Sequence, residues 1–352
     1  MASSTTKIIP FNGDKSTSPG TKTISYLLFL LINGCHEFQS FFTSGRYKNE
    51  LNPKNPIGMK GEFGTELGKA LNGDSDVEQV GKVVATYFPI VSRTGDPDTN
   101  LIVTLDGLSE EFNRVLNKPM TPTPEKKANE SEAAFAQRCF QVFKQRNDSM
   151  VVDLFANQIR SLTQCKKCDR DALRFETTHR LMINLRCSLP QDDSAVLSLH
   201  TAIENAYKPG VVDDVYCPQC KAFGQSKREM APYAVNDYVL LTIDRTLPGS
   251  SDPSPIYVPI QYPLDKVETK TIWPASDEET KLKLTGVVDI IPGSVDTNWT
   301  LEVVVRGGEN EWTVKQYQKE LKTTKGVPAS NVKECVKGED GEKNENERVS
   351  RP

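Results

Sequence analysis

The sequence has no apolar run long enough to cross a bilayer. Its longest, SYLLFLLI at 25–32, is about eight residues, against the ~20 that a spanning helix needs. No membrane segment is expected. A cleavable leader is not expected either, because this run follows a Ser/Thr-rich stretch with little basic charge and no small-residue cleavage site. Excess charge of one sign is also missing. The 43 Lys and Arg nearly balance the 47 Asp and Glu, for a net charge of −4. With no basic stripe, nucleic acid is not an expected partner, and Lys126–Lys127 among nearby acids is too weak for a nuclear address. The expected location is intracellular, in cytoplasm or nucleus. In that reducing setting a Cys-x-x-Cys pair reads as a metal or redox motif, not as a disulfide.

At 352 residues and 37% hydrophobic, the chain can bury a sizeable core. Residues 1–20 are polar and read as a flexible arm. Residues 25–44 read as one buried helix, 47–61 as a loop rich in Pro and Gly, and 62–90, 101–116 and 130–145 as further helical patterns. KPMTPTPEKKANES breaks the last two apart. From 150 onward the period changes. VVDLFANQIRSLTQC, RFETTHRLMINLRC, the long run ending VLLTIDRTL, KLTGVVDII and LEVVVRGG favour β-branched residues and alternation, so they read as strands. SLHTAIENAY between them reads as a short helix. Helices first and a mostly antiparallel β half after them define an α+β architecture. The charged tail, 326–352, reads as disordered.

CKKC at 165–168 and CPQC at 217–220 carry the strongest local signal. A Cys-x-x-Cys turn offers two sulfurs to one metal, and two such turns close a tetrahedral zinc site. Cys168 and Cys217 are 49 positions apart, so the segment between them must fold out and back. Four unrelated buried cysteines would not produce two close pairs, and a thioredoxin-like redox pair would need a βαβ setting. The expected ligands are Cys165, Cys168, Cys217 and Cys220, holding structural Zn with no open coordination position. Cys139 and Cys187 lie in apolar runs and read as small buried hydrophobes.

SGRYKNELNPKNPIGMKGEF (44–63), LDGLSEEFNRVLNKP (105–119), RNDSMVVDLFANQIRSLTQCKKC (146–168) and VYCPQCKAFGQSKREM followed by VLLTIDR resemble, in order, successive blocks of the ubiquitin-specific protease family. The resemblance covers roughly residues 20–320. It implies a papain-like cysteine protease fold of the ubiquitin-specific type: a helical thumb over about 21–145, β fingers with a zinc ribbon over about 150–245, and a palm completed by about 246–325, making one domain over 21–325. It also implies ubiquitin, a ubiquitin-like protein or another protein as partner, and the family activity of a deubiquitinating thiol hydrolase.

That activity needs a thiolate, a His base and a group that orients the His. The family places its Cys at the start of the first buried helix, where the helix N-terminus lowers the thiol pKa. Matching Tyr26 to the family Tyr puts Ser25 at the nucleophile and Thr23 at the oxyanion Asn; a gapless alignment to SGRY puts Thr23 at the nucleophile. The His position reads Asn298 in TNWTLEVVV, and the orienting position reads Gln316 in EWTVKQ. The position before the His reads Thr297 where the family has Gly. The expected triad is therefore not intact. The chain's histidines are His36, His179 and His200. Cys35–His36 is the one tempting rescue, but neighbours on a helix diverge by about 100°, and the pair is expected near the end of the first helix. Asp96 matches a buried family Asp, though Thr94 and Gly95 replace the two Gln before it, and Asp106, Asn113, Asp153, Leu154 and Phe155 match frame positions. Core packing and helix capping are the expected reasons. Arg245 matches a basic residue of the family, with Thr246 where a Phe usually follows. The expected function is a catalytically inactive module that binds ubiquitin or another protein; the alternative is an active hydrolase with displaced catalytic residues.

Overall fold

A computed structural model describes residues 18–93, 96–185, 196–244, 260–261, 267–268, 281–282, 285–291, 300–306, 311–316 and 327–328. Two compact units divide the chain: residues 1–114 with 284–352, and residues 115–283.

The first unit opens with seven helices: α1 (Pro19–Gly34), α2 (His36–Thr43), α3 (Tyr47–Glu50), α4 (Glu62–Asn72), α5 (Val77–Tyr87), α6 (Pro89–Arg93) and α7 (Pro97–Glu111). Local chemistry sets their starts. Ser18 caps α1 by accepting from the Thr21 N–H, with Pro19 behind it, a start signal combining a side-chain acceptor with a residue that has no N–H to satisfy. Residues 18–20, read as part of a loose arm, are therefore helix start. The expected single helix over 25–44 is two. Cys35 is extended, with φ −128° and ψ 103°, ending α1 and capping α2. Gly34 permits a close approach here, since a Cβ on it would lie 3.2 Å from the Thr285 hydroxyl.

The core of this unit is aromatic. Phe38, Phe42, Phe63 and Phe112 are fully buried, and the Phe112 ring stands edge-on to Phe41 and Phe42 at 5.2 and 5.7 Å. Beneath them Glu111 is buried with its carboxylate accepting from the backbone N–H groups of Met59 (3.1 Å) and Gly64 (2.7 Å). Burial pushes this carboxyl up to about 7, against the backbone N–H groups of Gly64, Met59 and Gly61 that hold it down.

The second unit carries α8 (Glu132–Lys144), α9 (Met150–Phe155), β1 (Asn157–Cys165), β2 (Asp171–Thr178), β3 (Leu181–Asn184), β4 (Leu197–Ser198), α10 (Leu199–Ala206), β5 (Gly210–Cys217), β6 (Ala222–Ala234), β7 (Leu241–Asp244), β8 (Ile260–Gln261), β9 (Val267–Glu268) and β10 (Lys281–Leu282). Its main sheet is antiparallel in the order β2-β1-β6-β5, while β3 with β7 and β4 with β8 pair in parallel. Residues 150–155, expected as strand, are the helix α9. Ser149 accepts from the Val152 N–H, and Asn236 Nδ2 donates to the terminal carbonyls of Val152 and Asp153 at 3.3 and 2.8 Å. Caps at both ends, with Met150, Val151, Val152 and Phe155 all buried, override the strand preference of two valines.

The chain then returns to the first unit with β11 (Gly286–Ile291), β12 (Thr300–Arg306), β13 (Glu311–Gln316) and β14 (Val327–Pro328), an antiparallel sheet in that order. Helix α1 runs against β11 and β12. The expected disordered tail begins with Val327 and Pro328 paired to Trp312 and Glu311; the rest of it, 329–352, lies outside the described residues, as do residues 1–17. Among the described residues, no helix is long and apolar enough to cross a membrane.

Candidate metal centre and candidate catalytic positions

The strands of the second unit bring the two cysteine pairs to one point. Cys165 ends β1 opposite Ser226, and Cys217 ends β5 opposite Ala222 on the same neighbour, β6. Both pairs turn alike. Asp169 and Lys221, the residues that follow each second cysteine, have φ of 53° and 51°. This left-handed conformation costs a side-chain-bearing residue energy and persists where surrounding structure demands it. Here the first turn is closed by the Asp169 N–H bonding Cys165 O at 2.9 Å, and tied to β6 by Lys166 N–H to Gln225 O at 3.1 Å.

The four sulfurs lie within 4.8 Å of one another, with Cys165–Cys220 at 3.9 Å and Cys168–Cys217 at 3.6 Å. These separations are too long for a disulfide bond. They match tetrahedral zinc, where Zn–S bonds of about 2.3 Å set sulfurs roughly 3.8 Å apart. The donor set fits too, since four cysteine sulfurs are a complete ligand set for tetrahedral zinc. A closed set of four thiolates suits a structural zinc, which would pin the β1 and β5 ends of the sheet together. Cys139 is a separate case. It packs with Phe135, Ala136 and Phe175, and burial raises its thiol pKa, as expected of a buried hydrophobe. Cys187 and Cys335 lie outside the described residues.

The catalytic positions expected from sequence fall differently. Ser25 lies two turns inside α1, away from a helix start, and is fully buried. Its hydroxyl donates toward Thr21 O at 3.0 Å and Val77 O at 3.2 Å. Helix α5 closes over it because Gly81 has no side chain; a Cβ there would sit 2.8 Å from Thr21 O and 3.2 Å from Ser25 Oγ. Thr23, the alternative register, is also buried. Gln316 ends β13 opposite Glu302. Asn298 lies outside the described residues, as do Thr94, Gly95, Arg245, Thr246 and Thr297.

Cys35 ends α1, where the sequence placed it, and also begins the next helix. As N-cap of α2 it sits at a helix start, its sulfur accepting from the Phe38 N–H at 3.4 Å, and it is 2% exposed. His36 follows as the first residue of α2 and is exposed. His179 lies in the turn between β2 and β3, and His200 Nε2 is 3.3 Å from Glu204 on α10. Asp96, matched to a buried position, is instead an exposed N-cap of α7 that accepts from the Thr99 N–H. Sequence reasoning missed Glu111 altogether; nothing in SEEF distinguishes the second Glu from the first.

No family profile matches the chain. Among curated proteins, mouse ubiquitin carboxyl-terminal hydrolase 19 is 30% identical over 187 residues, covering 51% of this chain and 13% of its own. Human ubiquitin carboxyl-terminal hydrolase 32 is 31% identical over 163 residues, covering 44% and 10%. Ubiquitin carboxyl-terminal hydrolase 8 of Arabidopsis thaliana is 32% identical over 167 residues, covering 45% and 19%. The chain thus spans 10% to 19% of the length of these curated relatives. Among solved structures, the yeast SAGA DUBm with an Sgf73 mutant superposes with a TM-score of 0.60 at 13% identity, over 90% of this chain and 64% of that one. A SAGA Ubp8/Sgf11/Sus1/Sgf73 DUB module bound to ubiquitin aldehyde gives 0.57 at 13%, over 92% and 66%.

Proposed function

We propose that this chain, which carries an α+β domain of the ubiquitin-specific protease type, is a catalytically inactive module that binds ubiquitin or a ubiquitin-like protein. The observation that carries this reading is Ser25. The position matched to the nucleophile holds an alcohol, fully buried, with its one proton directed to the carbonyls of Thr21 and Val77. An alcohol is a weak nucleophile unless an adjacent base takes its proton, and a reacting carbonyl could reach this one only by displacing α5. The metal centre would add no chemistry of its own, because four thiolates leave zinc no position for water or substrate.

The partner follows from relatives that are ubiquitin hydrolases and from structural neighbours described as bound to monoubiquitin and to ubiquitin aldehyde. A fold can outlast its chemistry, and binding needs a preserved surface where catalysis needs a preserved triad.

The second reading, an active thiol hydrolase using Cys35, is favoured by one observation: Cys35 caps a helix N-terminus, the setting that activates thiols. Against it stand its 2% exposure and an adjacent His36 that is exposed while the sulfur is buried. One pair of measurements separates the readings. Incubation with ubiquitin bearing a C-terminal electrophile should leave the intact mass of the chain unchanged, while titration with free ubiquitin or ubiquitin chains should show saturable binding. An adduct mapped to Cys35 would establish the second reading, and no binding to either ligand would overturn the first.

A further inference from the structure

The segment between α7 and α8 has no role in the metal centre or at the matched catalytic positions, yet it is held in place and presented. Residues 115–130 form a strap with no regular secondary structure. Pro119, Pro122 and Pro124 fix their own φ and keep the residue before each of them extended. Two arginines pin the strap. Arg146, just past α8, donates from Nη1 to Pro119 O. Arg138, on α8, donates from Nη2 to Glu125 O at 2.7 Å, and its fork grips Glu130 at 2.8 and 2.7 Å. Between the pins lies Thr121-Pro122-Thr123-Pro124. Thr123 is exposed, and nearby Met120 is 96% exposed.

We propose that Thr123 is a phosphorylation site for a proline-directed protein kinase, displayed in extended form by the two arginine pins. Kinases take the accepting residue from an extended segment, so that its hydroxyl can line up with the γ-phosphate. The strap supplies that shape without local unfolding. Pro124 at the next position suits a kinase whose following pocket is apolar and asks for no N–H. Lys126 supplies a cation three residues on. The sequence holds four Ser/Thr–Pro pairs, at Ser18, Thr121, Thr123 and Ser254, and only Thr123 has a basic residue three positions later. Ser18 is also committed to capping α1.

In the reaction, Thr123 Oγ1 attacks the γ-phosphorus of Mg-ATP. A new O–P bond forms, the bond from the γ-phosphorus to the β,γ-bridging oxygen breaks, ADP leaves, and the hydroxyl proton passes to the kinase's carboxylate base. The product adds a charge of about −1.5 to −2 at neutral pH, two residues from Glu125 and three from Lys126.

The test uses the full folded chain, Mg-ATP and a purified proline-directed kinase that requires a basic residue at the third position, with sites mapped by mass spectrometry. The expected result is about one phosphate per chain, on Thr123. It should be lost in Thr123→Ala and in Pro124→Ala, which keeps the hydroxyl, and slowed about tenfold or more in Lys126→Glu. The Thr123 and Lys126 variants, at exposed positions, should unfold at the wild-type denaturant midpoint. Failure of the folded chain to take phosphate, while a peptide of residues 115–130 takes it, would overturn the proposal. Phosphate on Thr121 with Thr123 unmodified would overturn it as well.

Discussion

The knuckle end of the β2-β1-β6-β5 sheet and the helical part of the first unit are stabilised by different means. Around the cysteines little apolar surface is buried. Tyr216 and Phe223, which face each other across β5 and β6, are 52% and 70% exposed, and two backbones are held in left-handed turns. In the first unit Phe38, Phe42, Phe63 and Phe112 are fully buried, each contributing on the order of 2 kcal/mol or more through apolar area. A region that cannot form a core depends on its metal; a region with an aromatic core does not. The stretch matched by sequence to a protease's catalytic start belongs to that core, with Ser25 fully buried inside it.

The largest expected effect breaks the comparison at its weaker side. Structural zinc contributes apparent free energies of about 10–16 kcal/mol in small zinc domains. Chelation, or Cys217→Ser, should therefore release the knuckles, whose remaining ties include the Asp169–Cys165 and Lys166–Gln225 backbone bonds. Hydrogen exchange should show amides across about 160–230 losing protection while α1, α4, α5 and α7 keep theirs. Equal loss in the helices would mean that the two regions are not independently held.

A smaller effect probes the helical side, where the weak point is polar. Glu111→Ala leaves the buried N–H groups of Met59 and Gly64 without their acceptor, at a cost of about 3 kcal/mol. The same residue gives the first unit a pH dependence. Its carboxyl has an ordinary value of 4.5 and is raised to about 7 by burial, so the native state favours the protonated acid. The contribution is fully present below about 4.5 and is lost as pH rises through about 7, an effect of up to about 3 kcal/mol. Urea midpoints should fall between pH 5 and pH 8 in the wild type and change less in Glu111→Gln, which cannot ionise. The Gln variant should also be less stable at pH 5, because its amide NH₂ confronts one of the two donors. An unchanged pH slope would remove Glu111 as its source.

What the sequence made legible, and what it did not, follows the same division. The cysteine pairs were legible because metal ligation has a fixed spacing and few alternative readings. Most helices were legible from their apolar period, while the caps that set their starts, such as Ser131 on α8 and Asp76 on α5, came from the structure. Three features were hidden for physical reasons. Helix α9 has a strand-like composition, and its caps lie outside it, at Ser149 and at distant Asn236. The break at Cys35 falls beside Gly34, which Thr285 approaches from some 250 positions away in sequence. The burial of Ser25 depends on where α1 begins. Ser18–Pro19 was a readable start signal, but a polar composition around it suggested an arm, and shifting the start to Pro19 carries Ser25 from a helix end to its interior.

The smallest effect concerns a residue that sequence matching and structure place differently. Asp96 aligns with a buried family Asp, but here it is exposed and accepts from the Thr99 N–H at 2.9 Å as the N-cap of α7. A cap of this kind contributes about 1 kcal/mol, and Asn serves nearly as well as Asp. Asp96→Ala should lower the stability of the first unit by about that amount, and Asp96→Asn should change it by a few tenths at most. A buried Asp in a polar network would behave otherwise: both substitutions would be costly, because each would leave a desolvated partner unmatched. Denaturant midpoints for the two variants decide the matter. If Asn is tolerated and Ala is not, the match to the family at this position is one of helix capping, and the residue says nothing about retained chemistry.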